Sequence, residues 1–160
     1  MVYYQGAKMS KSLGNLVMVS DLLQAYTPDA LRLYLSGHRY REAWSHDQMA
    51  LQRAADRAQR WEAAAAVEGG AAISPAVERC RSEFRVAMED DLDTTRAASA
   101  LDHLAGEIIP APQGGDPASQ RTLRELAGLL GLRLGLQGSE PRVADGWEVH
   151  KARFWAEGAA

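Results

Sequence analysis

A single cysteine, Cys80, is the only thiol in these 160 residues, and that excludes an internal disulfide framework. A reducing cytoplasm is therefore the expected compartment. Histidine is scarce too. His38, His46, His103 and His150 are scattered, and none stands at metal-ligand spacing, so no metal site is expected within the chain. There is no apolar run long enough to cross a bilayer and no signal-peptide pattern, so no membrane partner is expected. Lysine is nearly absent: three lysines stand among 18 Lys and Arg residues, and two of those three are Lys8 and Lys11.

The remaining composition suits one compact domain with a core, or one domain plus an appendage. Net charge is −3, which argues against indiscriminate nucleic-acid binding. Its distribution is uneven. Residues 1–61 carry eight Lys or Arg against five Asp or Glu, whereas residues 62–160 carry ten against sixteen. An anionic partner should meet the N-terminal third. Arg39 and Arg41, which bracket Tyr40 after a helix end, are the candidate phosphate or nucleic-acid contacts. Arg53, Arg57 and Arg60 read as the solvated face of one helix.

Most of the chain reads as helices, so the expected fold is mainly α, an antiparallel bundle behind a short irregular segment. Ser20 can cap a short helix through Ala25. Thr27 followed by Pro28 is a cap with proline at the first helical position, and Gly37 closes that helix, with Leu31, Tyr34 and Leu35 on one face. Arg32 is expected to anchor it to the core or to a carboxylate. Ser45 and Gln48 form a capping-box pair before a helix reaching about Val67. Its stripe is Leu51, Ala54, Ala58, Trp61 and Ala65.

After a Gly-Ala loop, Ser74-Pro75 opens another helix with Val77, Cys80, Phe84 and Met88 at helical spacing. Cys80 there is a small hydrophobe rather than a nucleophile. The run Glu89-Asp90-Asp91 with Asp93 lacks the glycine turn and distal glutamate of a calcium loop, and reads as a helix-to-helix turn. Ala97, Leu101, Leu104, Ala105 and Ile108 line the next helix, ended by Pro110. A last helix faces inward through Leu123, Leu126, Ala127 and Leu130. Only residues 1–19 look non-helical, with short strands at Val2–Tyr4 and Leu16–Val19. Three parts follow: 1–19, 20–134, and an appendage 135–160 with Trp147 and Trp155 as its anchors.

The chemistry is concentrated in Lys8-Met9-Ser10-Lys11-Ser12, set between Gly6 and Gly14. Two ammonium groups three residues apart, with hydroxyls between and beyond them, suit a mobile loop that closes over a polyphosphate. Lysine acts there as a movable point charge. Such charge accelerates transfer when it meets the transition state more tightly than the ground state.

This pentapeptide resembles the KMSKS signature of class I aminoacyl-tRNA synthetases. Pro28-Asp29-Ala30-Leu31-Arg32 resembles the element opening the helical domain behind that loop. His38-Arg39-Tyr40-Arg41 and Met88-Glu89-Asp90-Asp91-Leu92-Asp93-Thr94 are similar, in order, to stretches of cysteinyl-tRNA synthetases. The likeness runs from about Val2 to Leu134. It implies that Lys8, Met9, Ser10, Lys11 and Ser12 handle ATP phosphates, with Lys11 the catalytic member, in a chain contributing to cysteine activation and transfer to tRNA(Cys).

Gln5-Gly6, Gly14-Asn15-Leu16-Val17 and Leu129–Leu134 are similar as well to the ligase that joins cysteine to glucosaminyl-inositol in mycothiol synthesis. The two families differ in the acceptor. In both, the resemblance places the nucleotide-binding fold, with a zinc site for the cysteine thiol, in an N-terminal half that this sequence does not contain. That half could act as a separate partner, and the isolated chain is expected not to catalyse. A third reading is a non-catalytic helical module binding tRNA or a partner.

Overall fold

A computed structural model describes residues 1–67, 75–109 and 117–135. Its elements are strands β1 (Val2–Tyr4), β2 (Ala7–Lys8) and β3 (Trp44–Ser45), and helices α1 (Val19–Leu22), α2 (Pro28–Ser36), α3 (Gln48–Ala66), α4 (Pro75–Glu89), α5 (Thr94–Ile108) and α6 (Pro117–Leu129). The fold is mainly α, as expected. The Gly-Ala loop, Ser74, Pro110, His150, Trp147 and Trp155 lie outside the described residues.

Helices α3 to α6 make the bundle. Its hairpin α4–α5 is antiparallel, because Arg79 meets Glu107, Glu83 faces His103 and Asp90 meets Arg96. Helix α6 packs on α3, α4 and α5, and α2 lies against α3. Alanine is the reason these helices approach closely. Ala54, Ala58, Ala64, Ala65, Ala87, Ala97, Ala98 and Ala105 are all buried, and each adds little width to its helix surface. Trp61 and Leu101 supply volume where the alanines leave it, and both are fully buried. Among the described residues no helix is long and apolar enough to cross a membrane.

Helix α2 begins as its sequence dictates. The Thr27 hydroxyl accepts the Ala30 N–H at 3.2 Å, Pro28 needs no N–H partner at the first turn, and Gly37 caps the end. Asp29 does more than favour the helix dipole. It is buried, and its Oδ2 accepts the backbone N–H groups of Arg133 at 2.8 Å and Leu134 at 3.0 Å. The segment after α6 is thereby pinned to the first turn of α2. Arg32 meets Asp29 at 3.4 Å, a pair within α2 itself rather than an anchor to another element.

Four local expectations need correction. Ser20 lies inside α1; Met18 precedes that helix and offers no side-chain cap. Ser45 is not the cap of α3, because it is drawn into β3 opposite Tyr3, and Asp47 caps instead by accepting the Met49 N–H at 2.8 Å. Leu35 does not share the buried face of Leu31 and Tyr34; it is 53% exposed, and Leu33 is buried in its place. Residues 16–19 form no strand, and β3 lies outside the first nineteen residues.

Candidate functional site

The lysine segment is built on a three-stranded sheet of order β2-β1-β3, with β1–β2 antiparallel and β1–β3 parallel. Gln5 and Gly6 form the two-residue β1–β2 turn with φ of 51° and 80°. Two left-handed residues are what such a turn requires for its twist to match the strands, and glycine meets that need without strain. Lys8 ends β2, and the Met9 N–H returns to the Val2 carbonyl at 3.0 Å. The chain then turns again, with the Gly14 N–H donating to the Lys11 carbonyl at 3.1 Å and Gly14 at φ 63°.

Asn15 closes this second turn. Its Oδ1 accepts the Ser10 N–H at 2.9 Å while its Nδ2 donates to the Lys8 carbonyl at 3.2 Å. Ser10 Oγ accepts the Leu13 N–H at 3.3 Å and lies 3.3 Å from Ser12 Oγ. Both serines thus hold the shape of the loop. Lys8 and Lys11 are exposed, whereas Met9 is half-buried. Met9 lines an apolar groove of about 360 Å³ with Val2, Val17, Leu22, Leu31 and Trp44. Within the motif, then, the cationic residues face water and the methionine seats the loop on the helices.

An aromatic cluster fastens the sheet to α2. Tyr34 makes edge contacts with His38, Trp44 and His46 at centroid distances of 5.1, 5.6 and 5.7 Å. The Tyr34 hydroxyl accepts the Asp47 N–H at 3.0 Å and lies 3.0 Å from His46 Nδ1. Burial pushes the Tyr34 phenol above its ordinary pKa, against the Asp47 N–H. Burial also lowers the pKa of His38, whose Nε2 is covered and makes no hydrogen bond among the described residues.

Arg39 and Arg41, expected to meet phosphate, each meet a carboxylate. Arg39 Nη2 lies 2.6 Å from Asp93 Oδ2, and Arg41 Nε lies 2.8 Å from Asp91 Oδ2. Nor do Arg57 and Arg60 simply solvate a helix face. Both converge on Asp102, Arg57 at 2.6 Å and Arg60 at 2.9 Å, where Trp61 Nε1 also donates at 2.8 Å. Burial raises the Asp102 pKa, but the hydrogen bonds and charge of Arg57, with Trp61 and Arg60, outweigh it and leave the carboxyl below its usual range.

Cys80 is 2% exposed, and burial pushes its thiol up to about 11. It donates to the Ala100 carbonyl at 3.4 Å, so it packs as a hydrophobe and offers no thiolate. Among the described residues no group of three or more His, Cys, Asp or Glu is placed to hold a metal ion.

Sequence reasoning missed Asn15 as the clamp and Tyr34 with His46 as the anchor. The Gly14-Asn15 pair after the serines was the available sign of the first, since asparagine readily bonds nearby backbone. No local sign marks the second.

Residues 1–56 match the family model described as tRNA synthetases class I (C) catalytic domain. The L-cysteine:1D-myo-inositol 2-amino-2-deoxy-alpha-D-glucopyranoside ligase of Thermobifida fusca is 44% identical over 136 residues, which is 84% of this chain and 32% of that protein. Ligases of the same name from Cellulomonas flavigena and Saccharopolyspora erythraea are 42% and 41% identical, covering 81% and 84% of this chain and 31% and 32% of theirs. The chain spans about a third of the length of the curated relatives it matches. Their names carry an amino-sugar acceptor, not the tRNA that the sequence reading placed first.

Proposed function

The chain belongs to the class I synthetase family, close to the cysteine:glucosaminyl-inositol ligases, and from that premise we propose that it supplies the ATP-phosphate loop and helical domain of an ATP-dependent cysteine ligase. The observation that carries the acceptor is the identity of 44% with a protein named for joining cysteine to an aminoglucosyl inositol.

The mechanism follows from the charges. The cysteine carboxylate attacks the α-phosphorus of ATP in line; a C–O–P bond forms, the bond to the β-phosphate oxygen breaks, and pyrophosphate leaves. Negative charge gathers on the departing group. Lys8 and Lys11 meet it, held on a loop that Asn15, Ser10 and Ser12 keep in shape. A cation that reaches this charge chiefly in the transition state lowers the barrier more than it changes ATP affinity. The acceptor amine then attacks the adenylate carbonyl, giving an amide, AMP and a proton. In this reading the nucleotide and thiol pockets, with any zinc, are assigned to an N-terminal half, as the resemblance implies.

The test supplies that half, in one polypeptide or as a second chain, with ATP and cysteine. Cysteine-dependent AMP release on adding glucosaminyl-inositol, and not on adding tRNA, is the expected result. Cysteine found esterified to tRNA would overturn the acceptor and restore the synthetase reading.

A further inference from the structure

The lysine loop hangs from β1, and β1 hangs from β3: the Trp44 N–H donates to the Met1 carbonyl at 3.0 Å and the His46 N–H to the Tyr3 carbonyl at 2.7 Å. What holds β3 therefore sets where Lys8 and Lys11 stand. Strand β3 lies in the connection between α2 and α3, and residues 38–43 of that connection form no regular element. Short strands of two and three residues cannot hold themselves.

Besides the Tyr34 cluster on α2, a second hold comes from the turn between α4 and α5, some fifty residues later. Arg41 meets Asp91 through Nε at 2.8 Å and Nη2 at 3.0 Å, a two-pronged pairing. Tyr40 donates its hydroxyl to the same carboxylate at 2.7 Å. Arg39 reaches Asp93 at 2.6 Å, and the Thr94 hydroxyl donates to the Ser36 carbonyl at 2.5 Å. Asp93 is itself fixed, since its other oxygen caps α5 by accepting the Arg96 N–H at 3.0 Å. Asp91 and Leu92 both take left-handed backbone, with φ of 52° and 54°. L-residues avoid that conformation unless surroundings impose it. The turn is thus a formed grip on the bundle, and it holds three consecutive residues, Arg39, Tyr40 and Arg41.

We infer that the α4–α5 turn positions the lysine loop, with Asp91 and Asp93 acting through Arg39, Tyr40 and Arg41 on β3, and with these two arginines as positioning residues rather than phosphate ligands. The inference rests on the proposed role of the loop for its functional meaning, but its geometry does not. A bare stabilising role would spread over the bundle. A positioning role falls on the sheet.

The experiment is residue-resolved amide exchange on this chain, comparing the parent with R39Q/R41Q, which leaves the Asp93 cap of α5 in place. The amides of Met9, Trp44 and His46 should exchange at least about tenfold faster, while those of Leu101 and Leu104 in α5 stay within about twofold. The single variant Arg39→Lys, which keeps the charge, should restore part of the protection when Arg41 is intact. Should the double variant fold poorly, Asp91→Asn provides the same comparison with a smaller change. Unchanged exchange at Trp44 and His46, or an equal rise at Leu101, would overturn the inference.

In the assembled enzyme, R39Q/R41Q should lower kcat for pyrophosphate exchange with KM for ATP within about twofold. A fall in ATP affinity alone would instead make the arginines phosphate ligands and overturn the assignment. No nucleotide or acceptor enters the exchange measurement, so its failure is separable from failure of the ligase reading.

Discussion

Asn15 bridges both sides of the lysine turn, with its Oδ1 2.9 Å from the Ser10 nitrogen and its Nδ2 3.2 Å from the Lys8 carbonyl oxygen. One side-chain amide thus joins the last residue of β2 to the residue before the second lysine. The separation of Lys8 from Lys11 is consequently set by a neutral group, and both lysines lie on the exposed side of the loop.

Replacing Asn15 by alanine leaves Ser10 N–H and Lys8 C=O without this partner. A hydrogen bond in such a partly exposed site contributes about 0.5–1.5 kcal/mol net. The Ser10 amide should exchange several-fold faster, with the melting temperature of the bundle unchanged. Asn15→Asp keeps the acceptor and loses the donor, so it should retain Ser10 protection. Equal Ser10 exchange in parent and Asn15→Ala would contradict the clamp.

Asp102 is where α3 and α5 are joined by charge. Its side chain and that of Arg57 are each about a quarter exposed, so solvent weakens the pair only in part. Asp102→Ala strands Arg57 and the Trp61 indole N–H. A loss of roughly 1–3 kcal/mol is expected by urea unfolding, from donors left unsatisfied. Asp102→Asn should recover part of it through Trp61. A loss below about 0.5 kcal/mol would show that water replaces the carboxylate freely.

Acid should lower the stability of the protein in two steps. The pKa of His38 is lowered by burial, so the folded state favours its neutral form. Its contribution is complete above the ordinary histidine pKa of about 6.5 and is lost as pH falls through the lowered value. Asp91 lies below the usual range because Arg41 and then Tyr40 bond it, and Asp93 because Arg96 N–H and then Arg39 do. Their contribution is complete above about 3.9 and is lost as pH falls further. Stability measured between pH 8 and pH 3 should therefore fall first below about 6.5, and His38→Gln should remove that first step. A first step that persists in His38→Gln would place it on another group.

Local physics made much of this fold legible. Thr27-Pro28 and Gly37 act within one turn of themselves, and α2 begins and ends where they say. The Leu51, Ala54, Ala58, Trp61 and Ala65 stripe is buried throughout, because a 3.6-residue period already specifies one face. Asp93 caps α5, as a carboxylate in a helix-to-helix turn should. Ser45 was misread because a long-range pairing with Tyr3 outbids its local capping preference. Leu35 lines the apolar groove beside the lysine loop rather than the bundle core, a distinction that period alone does not carry. In the candidate site, the lysines, serines and glycines were legible by chemistry and spacing. The partners of Arg39 and Arg41 lie more than fifty and about fifty residues away, and no short-range pattern signals them.

The most direct measurement is cysteine-dependent ATP–pyrophosphate exchange by the chain joined to its nucleotide-binding half, comparing Lys11→Ala with Lys151→Ala, a lysine outside the motif. Lys11→Ala should reduce the exchange rate on the order of 100-fold, or roughly 3 kcal/mol, as expected for losing one contact to transition-state charge. Lys151→Ala should match the parent. If Lys11→Ala exchanges within a few-fold of the parent, the lysine loop does not serve cysteine activation, and the account's central claim is contradicted.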